Sequence, residues 1–326
     1  MTQHSEKLQI RPRLPEWLKV RMPGSPRYLE LQNLMKDQKL HTVCEEAHCP
    51  NIGECWDRGT ATFMILGEIC TRACRYCAVT TGRPNGLDLQ EPKRVAETVQ
   101  SMGLRYCVIT SVNRDDLPDG GAYIFASCIN KIREVNPDCR IEVLIPDFAG
   151  SWTALKKVIE ARPAVLNHNI ESTVRIFPKV RPKGSYELSM ELLAKAKDID
   201  PNTVTKSGII VGMGESVDEV IETMTDLRKV DCDLLTIGQY LRPSVKHLAI
   251  DRFYRPEEFE ELRKAGETMG FKHVASGPLV RSSYHADEQH DAASTGLLAQ
   301  QATYLTLDSK SRPHRPPYSK GIPAEE

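Results

Sequence analysis

Six of the chain's ten cysteines fall into two triplets of different spacing. Cys70, Cys74 and Cys77 stand in GEICTRACRYC as C-x3-C-x2-C, and Cys44, Cys49 and Cys55 in TVCEEAHCPNIGEC as C-x4-C-x5-C. Thiolates suit zinc and iron–sulfur clusters. Structural zinc takes four ligands, commonly from paired C-x2-C knuckles. The Cys70–Cys77 set offers three within eight residues and no nearby fourth cysteine or histidine. Ferredoxin spacing also fails, because it supplies four cysteines per cluster. The remaining chemistry is a four-iron, four-sulfur cube held at three corners, its fourth iron free to chelate a substrate or cofactor. Two such incomplete sets lie fifteen residues apart.

Composition bounds what surrounds them. The 326 residues suffice for one large α/β domain or two ordinary ones, and 40% are hydrophobic. A net charge of -1 gives no electrostatic case for nucleic acid or a membrane surface. No apolar run approaches the ~20 residues that span a bilayer. The N-terminal stretch MTQHSEKLQIRPRLPEW has no apolar core of a secretory signal. Ten cysteines without an export signal argue for metal or redox use in a reducing compartment rather than for disulfides.

The elements that must position the triplets follow a repeating pattern. The stretch to about Tyr28 is proline-rich and basic and reads as an arm; 29–40 reads as a short helix, and the Cys44–Cys55 segment as a loop. Apolar, β-rich runs then appear at 62–66, 107–109, 141–145, 165–170, 208–211, 234–237 and near Val274. Helical periodicity fills 92–102, 122–135, 152–161, 186–198, 217–230 and 256–269. Strands alternating with helices of this length mean parallel βα units, and six of them suggest a partial (β/α)6-type TIM barrel. A doubly wound sheet is the alternative, but no G-x-G-x-x-G follows the first strand. Thr110, Ser111, Asn113, Pro146, Asp147, Asn169, Glu171, Glu215, Gln239 and Tyr240 follow the strand ends and should share the rim where barrel active sites are built. The Cys70–Cys77 loop follows the first strand onto that rim. After about Gln289 the pattern stops, with a weak helix at 297–307 and an expected disordered end rich in Pro, Ser and charge.

The C-x3-C-x2-C triplet on a βα barrel, with Tyr76 before its third cysteine, resembles the radical S-adenosylmethionine (SAM) superfamily. HTVCEEAHCPNIGECW, GEICTRACRYC, TSVNRDDLPDGGA, LIPDF, NHNIES, VGMGE, QYLRPS and GPLVRSSYHA, in that order from about Pro15 to Ala286, are similar to the lipoyl synthase family. The resemblance implies a radical SAM barrel with an N-terminal extension and a C-terminal segment carrying cluster ligands. It assigns Cys70, Cys74 and Cys77 to a [4Fe-4S] cluster that chelates SAM. It assigns Cys44, Cys49 and Cys55 to an auxiliary [4Fe-4S] cluster whose fourth ligand is a serine of R-S-S-Y, Ser283 in the family pattern, beside Ser282. The implied reaction inserts two sulfur atoms, drawn from the auxiliary cluster, at C6 and C8 of an octanoyl group amide-linked to a lysine. Neither carbon is acidic, so side-chain acid–base or nucleophilic catalysis would not suffice, and no catalytic residue is expected beyond the cluster ligands. The carriers implied are lipoyl-carrier domains of 2-oxoacid dehydrogenase complexes or the glycine cleavage H protein. An electron donor of ferredoxin or flavodoxin type and an iron–sulfur carrier protein complete the expected partners.

Cofactor contacts are expected from Tyr76, Asn169, Glu171 and Arg181, the last by a bidentate fork to the SAM carboxylate, with a rim salt bridge as its alternative. Gly212 and Gly214 would let backbone approach the adenosine, or serve only a turn. Asp115, Asp116 and Asp119 would bind ribose or cap the next helix. Cys107, Cys128, Cys139 and Cys232 read as small hydrophobes, and His41, His48, His168 and His285 as packing or surface residues. The division expected is 1–57 for the arm and auxiliary segment, 58–290 for the barrel with its RSSY loop, and 291–326 for the tail. Rival functions are a methylthiotransferase-like radical enzyme and a non-enzymatic zinc-stabilised scaffold. A bacterial cytoplasm fits the plain N-terminus, since Glu6 and Glu16 suit a transit segment poorly.

Overall fold

The computed structural model of the chain describes residues 13–293 apart from 21–22, 39, 43–44 and 46–48. Cys44, His48 and the expected tail from 294 onward, including 297–307, lie outside the described residues. One sheet dominates, in the order β1 (His41–Thr42), β2 (Thr60–Ile65), β5 (Tyr106–Ser111), β6 (Arg140–Leu144), β7 (Val165–Asn167), β8 (Thr205–Val211), β9 (Leu234–Gln239) and β10 (His273–Gly277). β1 is antiparallel to β2, and the other seven strands are mutually parallel. They coincide with the seven apolar runs of the sequence. Two short strands, β3 (Ile69–Cys70) and β4 (Thr80–Thr81), pair parallel within the cysteine loop.

Helices return the chain between these strands: α3 (Glu91–Ser101), α4 (Ala122–Val135), α5 (Trp152–Glu160), α7 (Tyr186–Ile199), α8 (Val217–Lys229) and α9 (Pro256–Thr268). Their starts are written locally. Ser151, Ser185 and Ser216 each accept the backbone N–H three residues on, and Ser216 completes a capping box with Glu219. Asp119 accepts the N–H groups of Gly121 and Tyr123 at 3.0 and 2.9 Å, so the capping role foreseen for this aspartate group falls to it. The apolar stripes of α3, α4 and α5 pack on the outer face of β2, β5 and β6, burying Val95, Val99, Phe125, Ile129, Leu155 and Val158. Cys107, Cys128 and Cys139 sit in that core and Cys232 in the one beneath α8.

Two features depart from expectation. The Cys44–Cys55 segment is not all loop: α2 (Ile52–Asp57) carries Cys55, and Trp56 is buried and stacks on Tyr28 of α1 (Pro26–Asp37), centroids 5.2 Å apart. One helical turn and a half is too short for periodicity to announce it. Residues 286–293 are helical and run through the boundary expected at 290. Ala286 packs against Tyr106 and Val108, and Ala293 against Val165, Val204 and Leu234.

Candidate active site

The Cys70–Cys77 loop leaves β2 and crosses the rim at the strands' C-terminal ends. Several loops hold it there. Thr71 N–H donates to Asn113 O (3.0 Å), and Arg75 N–H to Val180 O (2.9 Å) at the end of α6 (Phe177–Val180). Leu248 N–H donates to Arg75 O (2.9 Å), and His247 Nε2 lies 2.9 Å from Cys77 O. The Cys70 thiol accepts the N–H groups of Arg72 and Asn113 at 3.4 and 3.3 Å.

Beneath the loop lies a cavity of about 140 Å³ lined by Cys70, Cys74, Cys77, Tyr76, Asn169, Glu171 and Arg181, and by Thr110, Ser111, Asn113, Pro146 and His168. The three cysteines and the four expected cofactor contacts, Tyr76, Asn169, Glu171 and Arg181, thus meet at one place. Burial pushes the Cys74 thiol up, and burial and the neighbouring Cys74 and Cys70 push Cys77 up to about 12, so iron ligation must release protons. Two buried polar atoms of the wall, Ser111 Oγ and Asn169 Oδ1, have no partner. Three thiols beside unpartnered polar atoms fit a cluster with a polar cofactor on its open corner.

Glu171 is the strained residue of the site. It adopts φ +70° and is held there by Glu171 N–H to Gly208 O and Ile210 N–H to Glu171 O, both 2.9 Å. Enclosure raises its pKa, opposed by Arg181, by the Asn169 amide that donates at 3.2 Å, and by Tyr76. Arg181 is 7% exposed, donates to Asn169 O at 3.0 Å and lies over the Phe177 ring. No carboxylate pairs with it within 4.0 Å among the described residues, so the rim salt bridge is not formed. Gly212 and Gly214 have φ of +99° and +108°, and a Cβ on Gly212 would meet Gln239 Nε2 at 2.2 Å. Neither glycine lines the cavity.

Sequence reasoning missed Arg72 and the part of His168. His168 is buried; its Nδ1 lies 2.9 Å from Ile145 O and its Nε2 3.1 Å from Ser189 Oγ. A carbonyl only accepts, so Nδ1 carries a proton; Ser189 Oγ lies between Nε2 and Ser185 O, to which its hydroxyl donates at 2.9 Å. Burial and the nearby Arg181 lower its pKa to about 4. Asp115 and Asp116 do not reach the cavity: Asp115 binds Arg72 and Thr71, and Asp116 binds Arg114. The apolar-period argument had no handle on these pairs. An arginine inside a cysteine loop, with aspartates after two neighbouring strands, was the available signal.

Cys49 and Cys55 of the second triplet meet the C-terminal segment. Cys49, Cys55, Thr60, Thr62, Arg281, Ser283 and Tyr284 line a small cavity; Ser282 is not in its wall. Asn51 Nδ2 donates to Leu279 O (2.7 Å), Glu54 meets His285 Nε2 (2.8 Å), and Arg58 pairs with Glu288. Burial, then Cys49 and Glu54, push the Cys55 thiol up to about 12. Thr62 pairs with Val108, two residues before Thr110, which lines the first cavity. The two walls are therefore offset by about 7 Å along the strands.

Residues 64–227 match the radical SAM superfamily, and residues 2–49 the N-terminal domain of lipoyl synthase of that family. A lipoyl synthase of Rubrobacter xylanophilus is 58% identical over 87% of this chain and 88% of its own length. One of Roseiflexus sp. is 57% identical over 85% and 92%, and one of Shouchella clausii 53% over 89% and 94%. The crystal structure of HydG, a maturase of the [FeFe]-hydrogenase, shares the fold at a TM-score of 0.51 and 16% identity, covering 76% of this chain and 62% of that one. These matches set aside the methylthiotransferase and scaffold alternatives. With a superfamily barrel, a family-specific N-terminal segment and relatives more than half identical over most of its length, the chain belongs to the lipoyl synthase family of radical SAM enzymes.

Proposed function

We propose that the chain converts a protein-bound octanoyl-lysine to the lipoyl group by inserting sulfur at C6 and C8, and that it uses two [4Fe-4S] clusters. The observation that carries this is the convergence of Ser283 on Cys49 and Cys55 one pleat from the Cys70–Cys77 cavity. Cys70, Cys74 and Cys77 would hold the first cluster, which with SAM supplies a one-electron cleavage and a carbon radical able to take an unactivated hydrogen. Arg181, charged and without a carboxylate partner, would take the SAM carboxylate, while Glu171 and Asn169 would orient its polar groups. Tyr76 would close the apolar wall formed by Val180, Met213 and Tyr240. The loop is held in place over this cavity by bonds to Asn113, Val180, His247 and Leu248. Cys44, Cys49, Cys55 and Ser283 would hold the auxiliary cluster, the sulfur substrate. Serine oxygen is a harder ligand than thiolate and suits an iron that must later leave.

The acyl group would arrive on a lipoyl-carrier domain of a 2-oxoacid dehydrogenase complex or on the glycine cleavage H protein. A ferredoxin- or flavodoxin-type donor would supply electrons, an iron–sulfur carrier protein would restore the auxiliary cluster, and the reaction would run in a bacterial cytoplasm. No helix among the described residues is long and apolar enough to cross a membrane. The test incubates anaerobic, reduced protein with SAM and an octanoyl-lysine peptide. Wild type should yield 5′-deoxyadenosine and dithiolated peptide. Ser283→Ala should still yield 5′-deoxyadenosine but little thiolated peptide, and Ser282→Ala should resemble wild type. Zinc in place of iron, or no 5′-deoxyadenosine from wild type, would reject the reaction. Full lipoyl yield from Ser283→Ala would reject the ligand assignment.

A further inference from the structure

Arg72 lies inside the cysteine loop, between Cys70 and Cys74, and lines the cavity with them, yet its guanidinium is taken up by two carboxylates. Its side chain is 7% exposed. Nε and Nη2 fork onto Asp115, at 3.0 Å to Oδ2 and 2.8 Å to Oδ1. Nη1 and Nη2 fork onto Asp147, Nη2 to Oδ1 at 2.7 Å. All of the guanidinium's nitrogens are used. Asp115 belongs to the loop after β5 and Asp147 to the loop after β6, so one side chain ties together the loops of three adjacent strands. The remaining bonds of the two carboxylates extend the tie. Asp115 Oδ2 accepts from Thr71 Oγ1 at 2.8 Å, and Asp147 Oδ1 from Ala149 N–H at 2.9 Å. Arg72 contributes to the cavity wall, whereas Asp115 and Asp147 do not; its guanidinium is nonetheless fully committed to those two carboxylates.

Burying one cation with two anions is costly unless the geometry is good, and removing one partner from a buried pair is more costly still. A lysine cannot replace the double fork, because an ammonium is a point donor without a plane. We infer that Arg72 is the positioning residue that sets the Cys70–Cys77 loop on the barrel rim in the metal-free chain, so that the three thiols stand ready before iron arrives. The inference rests on the two-cluster reading above. It assigns the loop's order to a protein bracket rather than to the cluster that the loop will hold.

The second triplet provides an internal control. Cys55 lies on α2 and Ser283 on the C-terminal segment, with which Arg72 forms no hydrogen bond or ion pair, so a general folding defect would impair both sites and a loop defect only one. The experiment compares wild type, Arg72→Lys and the pair Asp115→Asn/Asp147→Asn. Amide hydrogen exchange is first read in the metal-free proteins. Residues 71–77 should lose protection by about 10-fold or more in the variants, while 52–57 should be unchanged. Iron is then restored, and the electron paramagnetic resonance of the reduced proteins is recorded with and without SAM. The variants should keep about half of the wild-type iron and lose the SAM-dependent change in the signal; single Asp→Asn variants, which keep one fork, should fall between. Arg72→Lys with wild-type protection at 71–77 and a wild-type SAM-dependent signal would overturn the inference. Loss of order and iron at both triplets would overturn it too, by making Arg72 a general stability residue. Wild type that binds only one cluster would instead defeat the two-cluster reading on which it rests.

Discussion

At the scale of single residues, the site runs on side chains whose charge state is set by enclosure. His168 shows this most simply. Its ring is buried, with Ile145 O at Nδ1 and Ser189 Oγ at Nε2, and burial and the nearby Arg181 disfavour its charged form. A folded-state pKa near 4, against about 6.5 when unfolded, means the unfolded chain takes up the proton first. The stability His168 confers is therefore complete above about pH 6.5 and is lost as pH falls toward 4, by about 2 kcal/mol at pH 5. Urea unfolding at pH 7.5 and pH 5 should show that loss in wild type. His168→Gln, which has no proton to gain, should show about 2 kcal/mol less acid sensitivity. Equal acid sensitivity in the two proteins would mean that His168 is not the buried neutral base. It lines the cavity, and its bond to Ile145 O also fixes the strand end from which Pro146 and Asp147 project.

Among the elements, the C-terminal segment after β10 is the one on which the proposed auxiliary site depends most. It turns inward past β9, and Gly238 permits the close approach: a Cβ there would stand 2.1 Å from Val280 O and 3.3 Å from Arg281 Nη1. Both neighbours precede Ser283 by two or three residues. Gly238→Ala should push the segment off the strand, separating Ser283 from Cys49 and Cys55 while leaving the Cys70–Cys77 rim in place. Spectroscopy of the reconstituted protein should then show a normal first cluster, with the auxiliary one lost or altered. A variant that loads both clusters normally would show that the segment tolerates displacement. The same logic explains the bonds from α2 to that segment, from Asn51, Glu54 and Arg58. They hold two parts of the chain that lie more than two hundred residues apart.

At the scale of the whole molecule, the barrel interior carries a buried ion pair between β6 and β8. Glu142 and Lys206 are fully buried, 3.0 Å apart, and Glu142 also accepts from Tyr106 OH at 3.0 Å and Asn167 Nδ2 at 3.1 Å. Burial lowers the Lys206 pKa, and Glu142 opposes this. Such a pair adds little net stability over a well-packed apolar substitute, but breaking it strands a charge. Lys206→Met should destabilise the fold by about 3–5 kcal/mol in chemical unfolding, and Glu142→Gln in the same chain should restore much of that loss. If the single and double variants unfold at the same denaturant concentration, the pair is not coupled as drawn. The interior is thus polar as well as packed, with Thr62, Glu142, Lys206 and Thr236 facing neighbours across the sheet.

The sequence by itself determined the seven parallel strands, the six helices between them and the placing of the first cysteine triplet on the rim. Those properties rest on local periodicity, capping and strand-end position, which neighbours in the chain express directly. The motif order likewise carried the family. The tertiary structure alone decided that Ser283, and not Ser282, shares a wall with Cys49 and Cys55, since two adjacent serines differ only in where the folded segment aims them. It also decided that Asp115 and Asp147 bind Arg72, and that burial lowers the His168 pKa. Pairing between loops of different strands, and the burial that sets a charge, depend on residues far away in sequence, and no local pattern records them.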